Sequence, residues 1–175
     1  MKKIGILAIQ GSVIEHEKIL KKLNADYYLV RTKEDLSSLT HLIIPGGEST
    51  TMEKLLRTYN IWDILQEKIN VKSLNVFGTC AGAILLSKLG MDIEIERNGF
   101  GSQLHSFYAD IESDKFQNLK GVFIRAPKFT SHSNDVIVLA TYNDEPVLLE
   151  QNNMLACGFH PELNDEVRIH EWFLR

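Results

Sequence analysis

Cys80 lies in the run Gly78-Thr79-Cys80-Ala81-Gly82, between a short apolar segment and a helix-like stretch, 83–87. This pattern is typical of a nucleophile elbow, a sharp strand-to-helix turn that lifts one side chain above a sheet. Glycines suit such a turn because the flanking backbones approach closely and leave little room for a Cβ. The positive end of the following helix favours a thiolate. We therefore predict that Cys80 is a nucleophile; the alternative is a small buried residue.

A second chemical signal is His160-Pro161-Glu162, which follows the apolar run 154–159. Pro161 stops a strand and fixes the backbone between two polar side chains. A thiol nucleophile needs a base to take its proton, and the imidazole needs a carboxylate to hold its tautomer. We predict a catalytic triad of Cys80, His160 and Glu162; the alternative is a surface loop with a solvated His and Glu. The other histidines are expected to be structural or solvated: His16, His41, His105, His132 and His170.

A third signal is the glycine pair in Pro45-Gly46-Gly47-Glu48-Ser49, which follows an apolar run. Free backbone N–H groups after a strand can face an anion, and Ser49 or Thr50 can cap the next helix. The loop lacks the Gly-Lys-Ser/Thr ending of a phosphate loop. It suits an oxyanion hole instead, with one N–H from Gly47 and one from Ala81. The alternative is a helix cap alone.

The elements that must position these residues alternate in the first half of the chain. Apolar runs at 4–9, 27–30, 41–44 and 75–77 predict strands, and periodic segments at 13–23, 52–59 and 62–69 predict helices. The first helix takes its apolar stripe from Val13, Ile14, Leu20 and Leu23. Strands separated by such helices form parallel βαβ units. Ligands bind outside the carboxyl ends of such strands, where both the elbow and the glycine pair are expected.

The second half has strands that follow one another with little helix between them. We predict them at 93–96, 107–111, 122–124, 136–139, 147–149 and 154–159, with partly antiparallel pairing, and a closing helix at 165–175. The fold class is therefore α/β with a mixed, mostly parallel sheet.

Length and composition limit the class of protein. The 175 residues fit one domain, 1–175, and the net charge of -4 gives no reason to expect nucleic acid or an anionic membrane as a partner. The apolar run after Lys3 is too short for a signal peptide, and no stretch is long enough to span a bilayer. Two cysteines make no disulfide framework, so we expect a cytoplasmic protein with reduced thiols.

These motifs resemble those of the class I glutamine amidotransferases, and more closely those of the PdxT family, the glutaminase subunits of pyridoxal 5′-phosphate synthase. The elbow and His-Pro-Glu are shared across the superfamily. The narrower resemblance rests on segments that span almost the whole chain: Leu7-Ala8-Ile9-Gln10-Gly11, Gly46-Gly47-Glu48-Ser49-Thr50-Thr51-Met52, Glu96-Arg97-Asn98 with Phe100-Gly101, and Gly121-Val122-Phe123-Ile124-Arg125-Ala126-Pro127.

The resemblance implies a three-layer αβα sandwich, flavodoxin-like, and a specific chemistry. Cys80 would attack the carboxamide of L-glutamine, with His160 as base and then acid and Glu162 orienting it. The residues implied to bind glutamine are Gly47, Glu48, Ser49, Arg97, Ile124 and Arg125, with Gln10 near the pocket. The ammonia would pass to a PdxS-type synthase subunit in a hetero-oligomer. Docking of that subunit would complete the oxyanion hole by a peptide flip at Gly46-Gly47. No metal or cofactor is implied for the glutaminase itself.

The sequence departs from the family pattern at three points, and three alternatives to the resemblance remain. Ser102 replaces the usual Arg, the segment 88–94 is shorter than usual, and the C-terminal helix stops early at Arg175. The first two departures bear on contacts with the partner. The first alternative is a glutaminase serving another synthase, such as that of histidine or guanine synthesis, against which the 96–101 and 121–127 segments argue. The second is a stand-alone cysteine hydrolase of γ-glutamyl or peptide substrates. The third is a non-catalytic subunit, which the intact triad disfavours.

Overall fold

A seven-stranded mixed sheet forms the centre of the molecule. The computed structural model describes residues 2–99 and 106–175. The strands are β1 (Ile4–Leu7), β2 (Tyr27–Val30), β3 (His41–Ile44), β4 (Asn75–Thr79), β5 (Ile93–Glu96), β6 (Phe107–Ile111), β7 (Leu119–Phe123), β8 (Lys128–His132), β9 (Ile137–Tyr142), β10 (Glu145–Gln151) and β11 (Met154–Cys157). The helices are α1 (Val13–Lys22), α2 (Ser49–Thr58), α3 (Trp62–Asn70), α4 (Ala81–Leu89) and α5 (Val167–Phe173), with short 3-10 turns at Glu34–Leu36 and Pro161–Leu163.

The central sheet has the order β2-β1-β3-β4-β11-β10-β9. The first five strands of that order are parallel to one another, and β10 pairs antiparallel with both β11 and β9. Two smaller antiparallel pairs, β5 with β8 and β6 with β7, lie outside this sheet. The predicted mixed, mostly parallel sheet is confirmed.

Helices cover both faces of the sheet, because its strands are apolar on both sides. Along β3, Leu42 and Ile44 face one buried cluster, while Ile43 faces the other. The first cluster includes residues of α2, α3 and α4, and the second includes residues of α1 and α5. The result is the expected three-layer αβα sandwich.

The strand β8 was not predicted from the sequence. Its residues, Lys128–His132, are mostly polar or partly exposed, and only Phe129 is buried, so the segment lacks an apolar run. Pairing with β5 fixes it as a strand, with a register shift between Glu94 and Ile95. Tertiary context, rather than local sequence, decides this element.

The apolar stripe predicted for α1 was partly wrong. Ile14 is 61% exposed, whereas His16 is fully buried together with Ile19 and Leu20. The helix is turned so that a histidine replaces an aliphatic residue on its inner face, where it finds hydrogen-bond partners. None of the helices within 2–99 and 106–175 is long and apolar enough to cross a membrane.

Parallel strands bring the chemical signals of the sequence to one edge of the sheet. The carboxyl ends of β1, β3, β4 and β11 lead into Gln10, Gly46, Cys80 and His160 respectively. Because β1 and β3 pair in parallel, as do β3 with β4 and β4 with β11, these four loops emerge side by side. This edge is where a doubly wound sheet offers a binding site.

Candidate active site

Cys80 occupies a strained turn between β4 and α4. Its φ of 49° and ψ of -104° are uncommon for a residue with a side chain. Its N–H donates to the Cys157 carbonyl at 2.8 Å, and its own carbonyl accepts from the Ile84 N–H at 3.2 Å. These bonds fix the turn between the neighbouring strand and the following helix. The thiol is 8% exposed, so only a small face of it is open to solvent.

The two glycines of the elbow are required by close packing. A Cβ on Gly82 would lie 2.1 Å from the Ile44 carbonyl oxygen, and one on Gly78 would lie 2.5 Å from the Gly82 carbonyl oxygen. Both contacts are with backbone, which has no free rotation to relieve them. The first turn of α4 therefore packs against the end of β3 only because position 82 has no side chain.

His160 is brought against Cys80 from the end of β11. Its N–H donates to the Val122 carbonyl at 2.8 Å, and its Nδ1 lies 2.7 Å from Oε1 of Glu162. A Cβ on Gly46 would lie 2.5 Å from Cε1 of His160 and 3.3 Å from Cβ of Cys80. Gly46 thus faces both residues and allows the imidazole to approach the thiol.

The electrostatics of this group favour an ion pair. Burial opposes a charge on His160, but hydrogen bonds with Cys80 and Glu162 raise its pKa above the ordinary value. Burial opposes the charge of Glu162 as well, but His16 and His160 nearby hold the pKa of this carboxyl below its usual range. The carboxylate is therefore ionised near neutral pH, and it orients and stabilises a protonated His160.

Ser12 supports the same carboxylate from the start of α1. Its Oγ donates to Oε1 of Glu162 at 3.1 Å, and its N–H donates to the Gly46 carbonyl at 2.9 Å. The neighbouring Gly11 has a φ of 105°, and a Cβ there would lie 2.0 Å from that same carbonyl oxygen. Sequence reasoning gave Ser12 no role, because a Gly-Ser pair carries no chemical signal by itself.

The glycine pair after β3 is held by two earlier residues. The Gly46 carbonyl is bonded to Ser12, so across a trans peptide the Gly47 N–H points away from Ser12. Oε1 of Gln10 accepts the Glu48 N–H at 2.9 Å and leaves no room for a Cβ on Gly47. Ala81, predicted as the second oxyanion donor, is the first residue of α4, where an N–H has no partner within the helix.

The cap of α2 differs from the one expected. Glu48 is the N-cap, and its carboxylate accepts from the N–H groups of Thr50 and Thr51, at 3.4 and 2.8 Å. The bonds from Thr51 lower the pKa of Glu48. Ser49, which was expected to share this role with Thr50, is instead the first residue of the helix and is buried. Glu48 caps the helix because its side chain is longer than that of Ser or Thr and reaches two N–H groups, and because its charge offsets the helix dipole.

A cavity of about 490 Å³ opens beside Cys80. Arg97 and Arg125 reach it from opposite loops; Nη1 of Arg97 donates to Oγ1 of Thr50 at 3.0 Å, and Arg125 has a positive φ of 48°. The thiol points to the Ile124 carbonyl at 3.9 Å. The residues that line the cavity are Gly11, Ser12, Gly46, Gly47, Glu48, Ser49, Cys80, Ala81, Ile84, Arg97, Asn98, Ile124, Arg125, His160 and Leu163.

The predicted site residues therefore fall in three places. The implied glutamine contacts line the cavity with Cys80, Ala81 and His160. Glu162 does not line the cavity and contacts Nδ1 of His160. Gln10 does not line it either, and its side chain accepts a hydrogen bond from the Glu48 N–H in the glycine loop. Phe100, Gly101 and Ser102 lie outside the described residues. Five further lining residues had no role predicted from the sequence: Gly11, Ser12, Ile84, Asn98 and Leu163. Gly11 and Asn98 lie in segments that carry the family resemblance, whereas the other three belong to none of the quoted motifs.

Comparison with known proteins places the chain in a family. Residues 6–175 match the SNO glutamine amidotransferase family. The chain belongs to this family. The class I glutamine amidotransferase fold that the sequence predicted is confirmed with it.

Relatives within the family cover nearly the whole chain. The pyridoxal 5′-phosphate synthase subunit PdxT of Thermosipho africanus is 48% identical over 183 residues, covering 98% of this chain and 97% of that protein. The subunit of the same name from Francisella tularensis subsp. novicida is 48% identical over 178 residues, with the same coverage. A crystal structure of a glutamine amidotransferase superposes with a TM-score of 0.94 at 46% identity, covering 98% of this chain and 96% of that one.

Proposed function

We propose that this chain, as one domain over 1–175, hydrolyses L-glutamine as the glutaminase subunit of a pyridoxal 5′-phosphate synthase. The observation that carries the proposal is the meeting of Cys80, His160 and Glu162 at one edge of the sheet. It gains support from 48% identity to PdxT subunits over nearly the full length of both proteins.

The reaction begins with attack of the Cys80 sulfur on the carboxamide carbon of glutamine. As the C–S bond forms, the carbonyl electron pair moves to oxygen, and the tetrahedral oxyanion accepts N–H bonds from Gly47 and Ala81. His160 holds the thiol proton on its imidazole and gives it to the leaving nitrogen. The C–N bond breaks, ammonia leaves and a γ-glutamyl thioester remains on Cys80.

Water completes the turnover. His160, now neutral, takes a proton from water as the oxygen attacks the thioester carbon. The second tetrahedral intermediate collapses, the C–S bond breaks and L-glutamate leaves, with the proton of His160 again shared with Cys80. Glu162 stays ionised throughout, because its hydrogen bond with Nδ1 of His160 holds its pKa low. Its role is to fix the tautomer of His160 and stabilise the imidazolium.

Charged groups at the mouth of the cavity suit the amino-acid end of glutamine. The guanidinium groups of Arg97 and Arg125 provide planar donors for the α-carboxylate. Glu48 is held at the rim by α2 and offers a carboxylate to the α-ammonium group. These contacts lie at the opposite end of the substrate from the carboxamide, so they set the position of the carbon that Cys80 attacks.

The ammonia is delivered to a partner. We propose a PdxS-type synthase subunit that joins this chain in a cytoplasmic hetero-oligomer and incorporates the nitrogen into pyridoxal 5′-phosphate. The Gly46 carbonyl accepts a hydrogen bond from the Ser12 N–H. If docking rearranges the oxyanion hole, the peptide between Gly46 and Gly47 must flip and break this bond. Glycines on both sides of that peptide permit the change at small steric cost.

The test is release of glutamate and ammonia from L-glutamine, by this chain alone and with a pyridoxal 5′-phosphate synthase subunit. We expect turnover that the partner raises strongly and that Cys80→Ala abolishes. Full activity without the partner, unchanged on its addition, would identify a stand-alone hydrolase. Turnover that survives Cys80→Ala would refute the thioester mechanism.

A further inference from the structure

Two histidines that the triad does not include are buried behind it. His16 of α1 and His170 of α5 are both 0% exposed, and their rings lie 5.2 Å apart. Nδ1 of His16 is 2.9 Å from Nε2 of His170. Burial lowers the pKa of both rings, that of His170 to about 3, so both are neutral at physiological pH. A buried imidazole is costly unless its polar atoms are bonded, so the pair requires an explanation beyond packing.

One histidine of the pair, His16, lies beside the carboxylate of Glu162. Nε2 of His16 lies 3.7 Å from Oε1 of Glu162 and 3.2 Å from Oγ1 of Thr79, the residue before Cys80. The same Oε1 accepts from Ser12 and lies 2.7 Å from Nδ1 of His160. Ser12 and His16 are one helical turn apart, so both reach this oxygen from the first turns of α1.

We infer that His16, with its tautomer set by His170, is a positioning residue that holds the Glu162 carboxylate in line with His160. The inference rests on the proposed function, since Glu162 matters here as the third member of the triad. His16 is one residue removed from the reacting atoms and touches no substrate.

The positions of the hydrogens on His16 and His170 follow from the carboxylate of Glu162 beside them. Nε2 of His16 is hydrogen-bonded to Oγ1 of Thr79, and its 3.7 Å contact with Oε1 of Glu162 is too long for a hydrogen bond. The charge of the carboxylate still favours the tautomer with the hydrogen on Nε2, because a carboxylate repels a ring lone pair that faces it. Nδ1 of His16 is then an acceptor and takes the Nε2–H of His170. Donation thus runs from His170 to His16, and the Nε2–H of His16 faces both Thr79 and the Glu162 carboxylate.

Other charged groups around the pair do not change this direction. His16 is faced by Glu162 and His160 across the core and by Glu15 on its own helix. His170 is faced by His16 and Glu162. Within the described residues, then, the negative charge that acts on both rings is that of Glu162. Without His16, the carboxylate loses its 3.7 Å electrostatic contact with Nε2–H, and the His160 imidazolium loses alignment with Cys80.

The test uses the chain in complex with its synthase subunit and compares variants of similar shape. His16→Phe keeps an aromatic ring beside Phe77 but removes the donor, whereas His16→Gln places an amide N–H near the position of Nε2. His41→Phe is the control, because His41 is a buried, hydrogen-bonded histidine at the amino end of β3. Four quantities are measured: kcat for L-glutamine, KM for L-glutamine, alkylation of Cys80 by iodoacetamide as a function of pH, and Tm.

We expect His16→Phe to lower kcat about tenfold, less than the 10²–10⁴-fold contributed by a direct acid–base group, with KM little changed. The pH of half-maximal Cys80 alkylation rises by about one unit, since the thiolate loses part of its aligned counterion. His16→Gln restores most of both quantities, and His41→Phe leaves them unchanged. Cys157 does not interfere, because it is fully buried and burial raises its pKa.

A folded His16→Phe variant with the wild-type kcat and alkylation profile would overturn the inference. So would equal losses in His16→Phe and His16→Gln, which indicate packing alone. If His16→Phe does not fold, His170→Phe decides: freeing Nδ1 of His16 must shift the alkylation profile in the same direction, and an unchanged profile overturns the inference. A different outcome refutes the proposed function instead: the alkylation profile shifts between wild type and His16→Phe, but wild type does not hydrolyse glutamine. That result leaves the positioning role of His16 supported.

Discussion

Cys80 and His160 form a pair whose reactivity depends on backbone as much as on side chains. The positive φ of Cys80 projects the thiol from the elbow, and Gly46 allows the imidazole to approach it. Glu162 then holds His160 with a bond of 2.7 Å between Nδ1 and Oε1. Such a site works with a sulfur nucleophile and not with an oxygen one, because the basicity of His160 matches the acidity of a thiol.

Cys80→Ser should lower the glutaminase kcat by at least about 10³-fold, since a hydroxyl needs a stronger base than an imidazole already paired with Glu162. The measurement is glutamate release with the synthase subunit present. Cys157→Ala is the matched control: this buried thiol bonds only to the Phe159 carbonyl and should be dispensable for turnover. Retained turnover in Cys80→Ser contradicts the assignment of the nucleophile.

Arg97→Ala should raise KM for L-glutamine about tenfold or more and change kcat less, because in the proposed site the guanidinium would bind the end of the substrate remote from the reacting carbon. Arg97→Lys keeps the charge but loses the planar donor pair and the bond to Thr50, so it should fall between Ala and wild type. The check is steady-state kinetics of all three proteins. An Arg97→Ala variant with unchanged KM removes Arg97 from the glutamine site.

At the scale of elements, the strand-to-helix turn at 78–82 was predictable because its glycines, thiol and flanking apolar runs all point to one structure. The cap of α2 was not, because the sequence offers Glu48, Ser49 and Thr50 within one turn and only geometry selects the longest acceptor. Strand β8 was missed because its partner β5, not its composition, makes it a strand. Local signals determine turns, while long-range pairing determines polar strands.

Gly82→Ala should destabilise the fold by about 3 kcal/mol, since its Cβ would collide with the Ile44 carbonyl and push α4 from β3. Denaturant unfolding measures this loss, and turnover should fall with it because the elbow moves. Gly158→Ala is a milder control, as its Cβ would come within 3.2 Å of the Pro127 carbonyl and require only a small shift. Equal stability of Gly82→Ala and wild type contradicts the packing argument.

At the scale of the whole molecule, the parallel order β1-β3-β4-β11 gathers residues from distant parts of the sequence at one edge. The sequence predicted that Cys80, His160 and Glu162 would meet at this edge, because βαβ units place strand ends together. It did not predict that α1 and α5 would bring His16 and His170 beneath Glu162, because both were assigned as structural or solvated. An isolated histidine in a helical segment does not indicate which side of the helix is buried.

This buried pair makes stability sensitive to pH. Burial lowers the pKa of His170 to about 3, from an ordinary 6.5. Between these values the unfolded chain binds a proton that the folded chain does not, so the free energy of unfolding falls as the pH drops. From pH 7 to pH 5 this one group accounts for a loss of about 2 kcal/mol.

His170→Phe removes the titrating group, so its free energy of unfolding should fall by about 2 kcal/mol less than that of wild type between pH 7 and pH 5. Urea unfolding at both pH values gives the difference. His132→Phe, which changes an exposed histidine, should keep the full wild-type dependence. If the free energy of unfolding falls equally in wild type and His170→Phe between pH 7 and pH 5, His170 is not a neutral, buried group in the folded protein.

The central claim is that Cys80 attacks the carboxamide carbon of bound glutamine, and the most direct measurement is covalent labelling. A glutamine analogue with a diazoketone in place of the carboxamide is incubated with the chain and its synthase subunit, and the modified residue is located by mass spectrometry. The account predicts one label, on Cys80, that L-glutamine suppresses and that is absent from Cys80→Ser. Labelling of another residue, or labelling of Cys80 that glutamine does not suppress, would contradict it.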